Sequence, residues 1–292
     1  MEDTYVMNMK RLIALALALV LSLALAACGS GAAPSPSASA PAESAPAESA
    51  SAESDLDYVK GKGALVIGYT VYAPLNYTAD NAEFTGFDTE LAKAVCEKLG
   101  VEPQFQEIVW ETKEIELAGK TIDCIWNGMT LDPEREANMA CTVPYVKNAQ
   151  VVVMKADADY ADTSSLIGKS VCAEVGSAGE TQILGNEETK PDANLAQADY
   201  VGKSVQTDCL MEVAAGTCDA AVLDMTLANA MIGEGTDYAG LKIVDELAVE
   251  NYGVAFRQGS DVRDAVNEIF AEMVADGSLG ALADKYGLEL AD

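Results

Sequence analysis

The 292-residue chain contains no histidine, only 18 Lys and Arg against 47 Asp and Glu, and only 6% aromatic residues. The missing histidine removes the commonest general base and the commonest metal ligand. A formal net charge of −29 argues against nucleic acid as a partner, because phosphates need Lys and Arg to neutralise them. Beyond Cys28 there are six cysteines, Cys96, Cys124, Cys141, Cys172, Cys209 and Cys218. None forms the Cys-x-x-Cys pairs of a zinc site. Five of the six sit in apolar stretches, which suggests buried free thiols. The carboxylates are scattered, with no loop spacing suited to calcium. No cofactor and no metal is expected.

The N-terminus is not part of a fold. Lys10 and Arg11 precede an almost unbroken Leu/Ala run from Leu12 to Ala27. A basic start, an apolar stretch and a small-residue cleavage site describe a secretory signal. The run is shorter than the ~20 residues that a helix needs to cross ~30 Å of hydrocarbon. Leu25-Ala26-Ala27-Cys28 resembles the lipobox of bacterial lipoproteins. That resemblance implies a signal peptide over 1–27, a lipidated Cys28, and attachment to the membrane through the lipid only. Met7 and Met9 are alternative starts. Gly29 to Ser54, rich in Ala, Ser, Pro and Glu, lacks the apolar surface to offset its ordering entropy and reads as a disordered tether over 28–54.

From Asp55 onward, strand and helix patterns alternate. Gly63 to Gly68 is a short glycine-bounded apolar run, a strand. Phe87, Leu91, Val95 and Leu99 recur every four residues on one helix face, closed by Gly100. Val101–Val109 reads as a strand, Lys113–Ala118 as a short helix, and Thr121–Trp126 as a strand. The Glu111–Glu116 charge run reads as a solvated helix face. The pattern restarts after Tyr145, with strands over Ala149–Met154, Ser170–Ala173, Cys218–Leu223 and Gly253–Arg257. Helices fall at Ala178–Leu184, Val205–Ala215, Val262–Ala275 and Leu279–Tyr286. Such alternation predicts an α/β chain with a largely parallel sheet. Gly119–Asn127 and Gly216–Asp224 echo one another, each ending an apolar strand on a polar residue. Ligands of open α/β sheets bind beyond the carboxyl ends of strands, so Asn127 and Asp224 are expected at two such ends.

Several motifs carry a resemblance from about Leu65 to Leu288. They are Tyr72-Ala-Pro74, Gly86-Phe-Asp-Thr-Glu-Leu-Ala92, Gly128-Met-Thr-Leu-Asp-Pro-Glu-Arg135, Val143-Pro-Tyr145, Val175-Gly-Ser-Ala-Gly-Glu180, Cys218-Asp-Ala-Ala-Val-Leu-Asp224 and Tyr252-Gly-Val-Ala-Phe256. In order and spacing the chain resembles the amino-acid-binding proteins of ABC importers. Trp110–Leu117 with Trp126-Asn-Gly128 looks like their Gram-positive branch. The resemblance implies the two-lobed periplasmic-binding-protein type II fold with two crossing hinge segments, near Asn148–Gln150 and Glu250–Tyr252. One lobe would comprise 55–149 and 251–292, the other 150–250. It implies a monomer on the extracellular face of the cell membrane, capturing a free amino acid for ABC permease subunits.

An amino-acid zwitterion needs a donor fork at one end and an anionic acceptor at the other. By the resemblance, Arg135 grips the α-carboxylate, with Gly128 and Thr130 donating beside it, and Asp224 takes the α-ammonium. Ser177 and Ala178, at the start of a helix, can add N–H donors to the carboxylate. Tyr72 and Trp110 are expected over the ligand side chain, although core packing is the alternative for each ring. Thr70, Asn127 and Glu174 would face the same space, and Glu174 favours a polar or basic side chain. The other classes considered are an enzyme on the same scaffold, a dehydratase or lyase relative, and a ligand-sensing receptor domain. No positioned acid–base motif supports the enzyme.

Overall fold

The glycine-bounded apolar run after Gly63 becomes a strand next to one edge of a single sheet. The computed structural model describes residues 54–292; the signal peptide, Cys28 and nearly all of the tether lie outside the described residues. The first elements are α1 (Asp55–Lys62), β1 (Ala64–Tyr69), the short hairpin β2 (Tyr77–Thr78) and β3 (Phe84–Thr85), and α2 (Phe87–Leu99). Then come β4 (Glu102–Glu107), α3 (Lys113–Ala118), β5 (Cys124–Thr130), α4 (Pro133–Asn138) and β6 (Ala140–Cys141). The second run holds β7 (Val146–Lys155), β8 (Ser170–Glu174), α5 (Ala178–Leu184), β9 (Asp199–Lys203), α6 (Gln206–Ala215), β10 (Ala220–Asp224), α7 (Met225–Met231) and β11 (Leu241–Phe256). Two helices, α8 (Val262–Ala275) and α9 (Ser278–Tyr286), follow.

The strands form one sheet in the order β4-β1-β5-β11-β7-β10-β8-β9, with β6 beside β11. Pairing is parallel at β4-β1-β5 and at β10-β8-β9, and antiparallel where β5, β11, β7 and β10 meet. Thus β7 and β11 stand between two parallel α/β halves. They pair with each other over nearly their whole length, Glu250 opposite Asn148 and Ala248 opposite Gln150. The two segments expected to cross are therefore neighbours in one ladder.

β9 and the short β2, β3 and β6 have no counterpart in the sequence reading, β7 begins at Val146 rather than Ala149, and two further strands differ in ways that bear on the site. β5 runs on to Thr130 and is buried throughout, so Asn127 sits mid-strand rather than at the strand end; Asp224 does end β10. β11 starts at Leu241, well before Gly253, as a largely half-exposed ribbon in which Lys242, Asp245, Glu246 and Glu250 interrupt short apolar runs. Helix α2 spans the expected stripe and ends on Gly100 in the left-handed conformation. Its inner face meets a core that contains Trp126, fully buried and edge-on to Phe270 at 5.9 Å. The six cysteines are free thiols, five of them buried and Cys141 partly exposed.

Gly86 caps α2 with φ at +127°, and a Cβ there would sit 2.1 Å from the Leu75 carbonyl oxygen. Both the dihedral and the contact exclude a side chain. Gly86→Ala is expected to cost more than about 3 kcal/mol of stability, read as a lower midpoint in urea unfolding.

Candidate functional site

The ends of both halves and the ladder between them converge on one narrow cleft. From the β1-β4-β5 side come Tyr72, Trp110, Asn127, Gly128, Thr130 and Arg135. From the other side come Glu174, Ser177, Ala178, Asp224 and Gln206. Ten of the eleven residues singled out in the sequence line this space. Thr70 does not; it is buried behind the cavity, where its hydroxyl accepts from Asn127 Nδ2 at 2.7 Å. A larger surface hollow of about 1150 Å3 lies between Lys147–Ala149, α7 and Tyr286–Glu289. Its cation is already paired, Lys147 with Glu289 at 2.8 Å, so it offers no opposed charges to a ligand.

Arg135 lies in the first turn of α4, where Asp132 caps the helix by accepting from the Arg135 amide at 2.9 Å. The same Asp132 holds the guanidinium Nε at 3.2 Å. Nη1 donates to the Thr130 carbonyl at 2.9 Å, and Nη2 reaches across to the Gly176 carbonyl at 3.1 Å. These bonds use three of the five donors that a guanidinium carries, leaving one on each Nη for a carboxylate. Gly128 lies at φ +57°, and a Cβ there would strike Leu75 at 2.5 Å and the Tyr72 and Tyr252 rings at 3.1 Å. Its amide is held by the buried Asp88 at 2.8 Å.

Asp224 is cradled by side-chain amides: Oδ1 accepts from Asn148 Nδ2 at 3.0 Å and from Gln150 Nε2, and Oδ2 accepts from Gln206 Nε2. Gln206 Oε1 in turn accepts from the Asp224 amide at 2.9 Å. Three of the four acceptor positions of the carboxylate are thereby filled, with room for one cationic donor. Glu250 shares the cradle. Its Oε1 accepts from Thr130 Oγ1 at 2.8 Å, Asn148 Nδ2 at 2.7 Å and Gln150 Nε2 at 2.9 Å. Burial and the neighbouring Asp224 push the Glu250 carboxyl up to about 7. Asp224 is raised by burial as well, against the opposing pull of its amide donors.

Glu174 ends β8 inside the cavity. It is buried, and Oε1 has no protein hydrogen-bond partner. Burial first and Asp224 second push its carboxyl up to about 8. Trp110 lines the same space while also packing in the core cluster with Leu117 and Ile122. Lys113 lies 4.9 Å from the centre of the Trp110 ring and donates to the Gly176 carbonyl at 3.0 Å. Burial lowers its pKa to about 8.

Four residues here escaped the sequence reading: Lys113, Gln150, Gln206 and Glu250. The charge run that holds Lys113 was expected to be solvated, yet Lys113 is buried. It shares a helix face with the buried Leu117, four residues on, and that spacing was the available signal. Gln150 and Glu250 lay in the two segments expected to cross. Gln206, a polar residue opening α6, carried no signal of its own.

Glu174, Glu250 and Asp88 are all acids held above their ordinary range, Asp88 at about 7 through burial. Between pH ~4 and ~8 the folded protein then binds more protons than the unfolded chain. Stability without ligand is greatest below the unfolded values and falls as pH rises through the folded ones. Calorimetry should show a higher melting temperature at pH 5 than at pH 8. Glu174→Gln should shrink that difference; an unchanged difference would contradict the role of Glu174.

The geometry agrees with the comparisons to known proteins. The chain is 29% identical over 228 residues to the arginine-binding extracellular protein of Bacillus subtilis, covering 77% of this chain and 87% of that one. It is 30% identical over 223 residues to the histidine-binding periplasmic protein of Escherichia coli, covering 74% and 84%. The crystal structure of a mutant arginine-binding protein, ArgBP from T. maritima, superposes with a TM-score of 0.71 at 28% identity, covering 80% of this chain and 98% of that one. The family profile matches residues 65–289, and with that span the chain belongs to the bacterial extracellular solute-binding proteins, family 3.

Proposed function

We propose that this protein captures one free amino acid, with a polar or basic side chain favoured, between its two halves and hands it to the transmembrane subunits of an ABC importer. The observation that carries the reading is the opposition of Arg135 and Asp224 in one cavity, both buried, each with hydrogen-bonding capacity left over. In this reading the two Nη donors of Arg135 and the backbone around Ser177 and Ala178 take the α-carboxylate. The fourth acceptor position of Asp224 takes the α-ammonium. Trp110 and Tyr72 cover the side chain, with Thr130, Gly128 and Asn127 completing the wall. The relatives named for arginine and histidine support a ligand of this class, and their names are those of binding proteins rather than enzymes.

The halves would be residues 55–149 with 251–292, and 150–250, opening about β7 and β11. Cross-cleft bonds from Arg135 and Lys113 to Gly176 support closure that excludes water from the ligand. We further propose a signal peptide ending at Ala27, a lipid on Cys28, and a monomer held on the extracellular face of the cell membrane of a Gram-positive host. The motif Leu25-Ala26-Ala27-Cys28 supports these points. Among the described residues no helix is long and apolar enough to cross a membrane.

A thermal-shift series over the twenty amino acids should give stabilisation by a small chemically related set, and recovery of the ligand unchanged by mass spectrometry. Arg135→Ala or Asp224→Ala leaves a ligand charge buried without its partner, at a cost on the order of 2–5 kcal/mol. Calorimetry should therefore find affinity weakened roughly thirty- to several-thousand-fold. Near wild-type affinity in either variant would sink the assignment. N-acetylated ligands should not bind. Fatty-acid labelling should mark the wild type and not Cys28→Ala.

A further inference from the structure

Once a zwitterion has used Arg135 and Asp224, the site retains charges that this ligand does not neutralise. The site holds the buried Asp224 and Glu174 and the half-buried Glu250 against two buried cations, Lys113 and Arg135, the second already paired with Asp132. Glu250 is satisfied by Thr130, Asn148 and Gln150, but Glu174 Oε1 faces the cavity without a donor. Lys113 and Arg135 act on it through their charge only: both donate to the Gly176 carbonyl, and neither makes a hydrogen bond to Glu174. Around Glu174, the Gln206 amide donates to Asp224 and also pulls the Glu174 carboxyl down, but burial and the Asp224 charge outweigh it and Oε1 stays without a donor. Lys203, beside it in the β8-β9 register, is committed to Glu212, and Glu180 accepts from the Gly176 amide and Tyr200. An ionised, unpaired carboxylate in such a place is costly. It must hold either a proton or a cation.

We propose that Glu174 exchanges a bound proton for the cationic end of the ligand's side chain, so that the protein selects basic amino acids and releases a proton to solvent as it binds them. The inference rests on the amino-acid reading above and adds to it the side-chain class and the proton. With a neutral ligand Glu174 keeps its proton, and the site remains balanced without a third cation. With a basic ligand the side-chain cation replaces the proton on Oε1 and is covered by the Trp110 ring. The carboxyl standing at about 8 agrees, because at pH 7 about nine-tenths of such a group is protonated. Affinity for a basic ligand should accordingly rise with pH until Glu174 is ionised in the free protein.

The test is titration calorimetry at pH 7 in buffers of different ionisation enthalpy, with arginine and its uncharged urea analogue citrulline as probes. Proton loss from Asp224 and Glu250 on binding the ammonium is common to both probes, and Glu174→Gln separates the Glu174 proton from that of Lys113, which stands at about 8 in the same site. Arginine should release about 0.9 proton more than citrulline and bind at least about thirtyfold more tightly. In Glu174→Gln the extra proton should vanish and the preference should collapse to within about threefold. Equal proton release for the two probes in the wild type overturns the proposal whether or not the variant folds. Persistence of the extra proton in Glu174→Gln overturns it too. Binding of other amino acids without arginine would overturn this inference alone. A wild type that binds none of the twenty would overturn the amino-acid reading and this inference with it.

Discussion

The antiparallel ladder between β7 and β11 is the interaction on which the rest depends. It joins two parallel sheets that share no other strand pairing, and it also carries Asn148, Gln150 and Glu250. The amides of Asn148 and Gln150 hold Asp224, which sits at the end of β10 in the far half, and Glu250, which takes the Thr130 hydroxyl of the near half. Asn148 is itself fixed by Thr226, whose amide and hydroxyl donate to its Oδ1 at 3.0 and 2.9 Å. The hinge and the anionic end of the site are therefore one hydrogen-bonded unit. A change in the ladder's twist would move the Asp224 carboxylate with it.

The cationic end is built differently. Arg135 is positioned by its own helix cap and by the Thr130 carbonyl of the neighbouring strand, all within one half. Opening would leave that geometry standing while releasing the bond to Gly176. The two charges thus differ in how they respond to motion, the arginine travelling as a rigid fork and the aspartate remaining tied to the axis.

Much of this was legible in the sequence wherever burial imposes a period. The Phe87–Leu91–Val95–Leu99 stripe gave α2 and its end, and the motifs located ten of the residues that line the cavity. The misses share a cause. The first part of β11, Lys242 to Val249, has no buried face and no period-2 pattern, so nothing in the sequence marks it as a strand. Gln206 and Glu250 matter through partners far along the chain, and neither residue type signals such a partner locally. Asn127 was expected at a strand end because the apolar run stops at Trp126, yet β5 stays buried by satisfying its polar side chains, Asn127 with Thr70 and Asn76.

The acceptor that both Arg135 and Lys113 reach across the cleft is a main-chain oxygen. No substitution at position 176 can delete it, and the left-handed φ of +74° there disfavours any residue but glycine. The contact across the cleft therefore does not depend on any side chain at position 176, whereas the charge two residues earlier is carried by the Glu174 side chain itself. Across descendants of this chain, ligand choice can diversify while the grip between the halves is inherited intact.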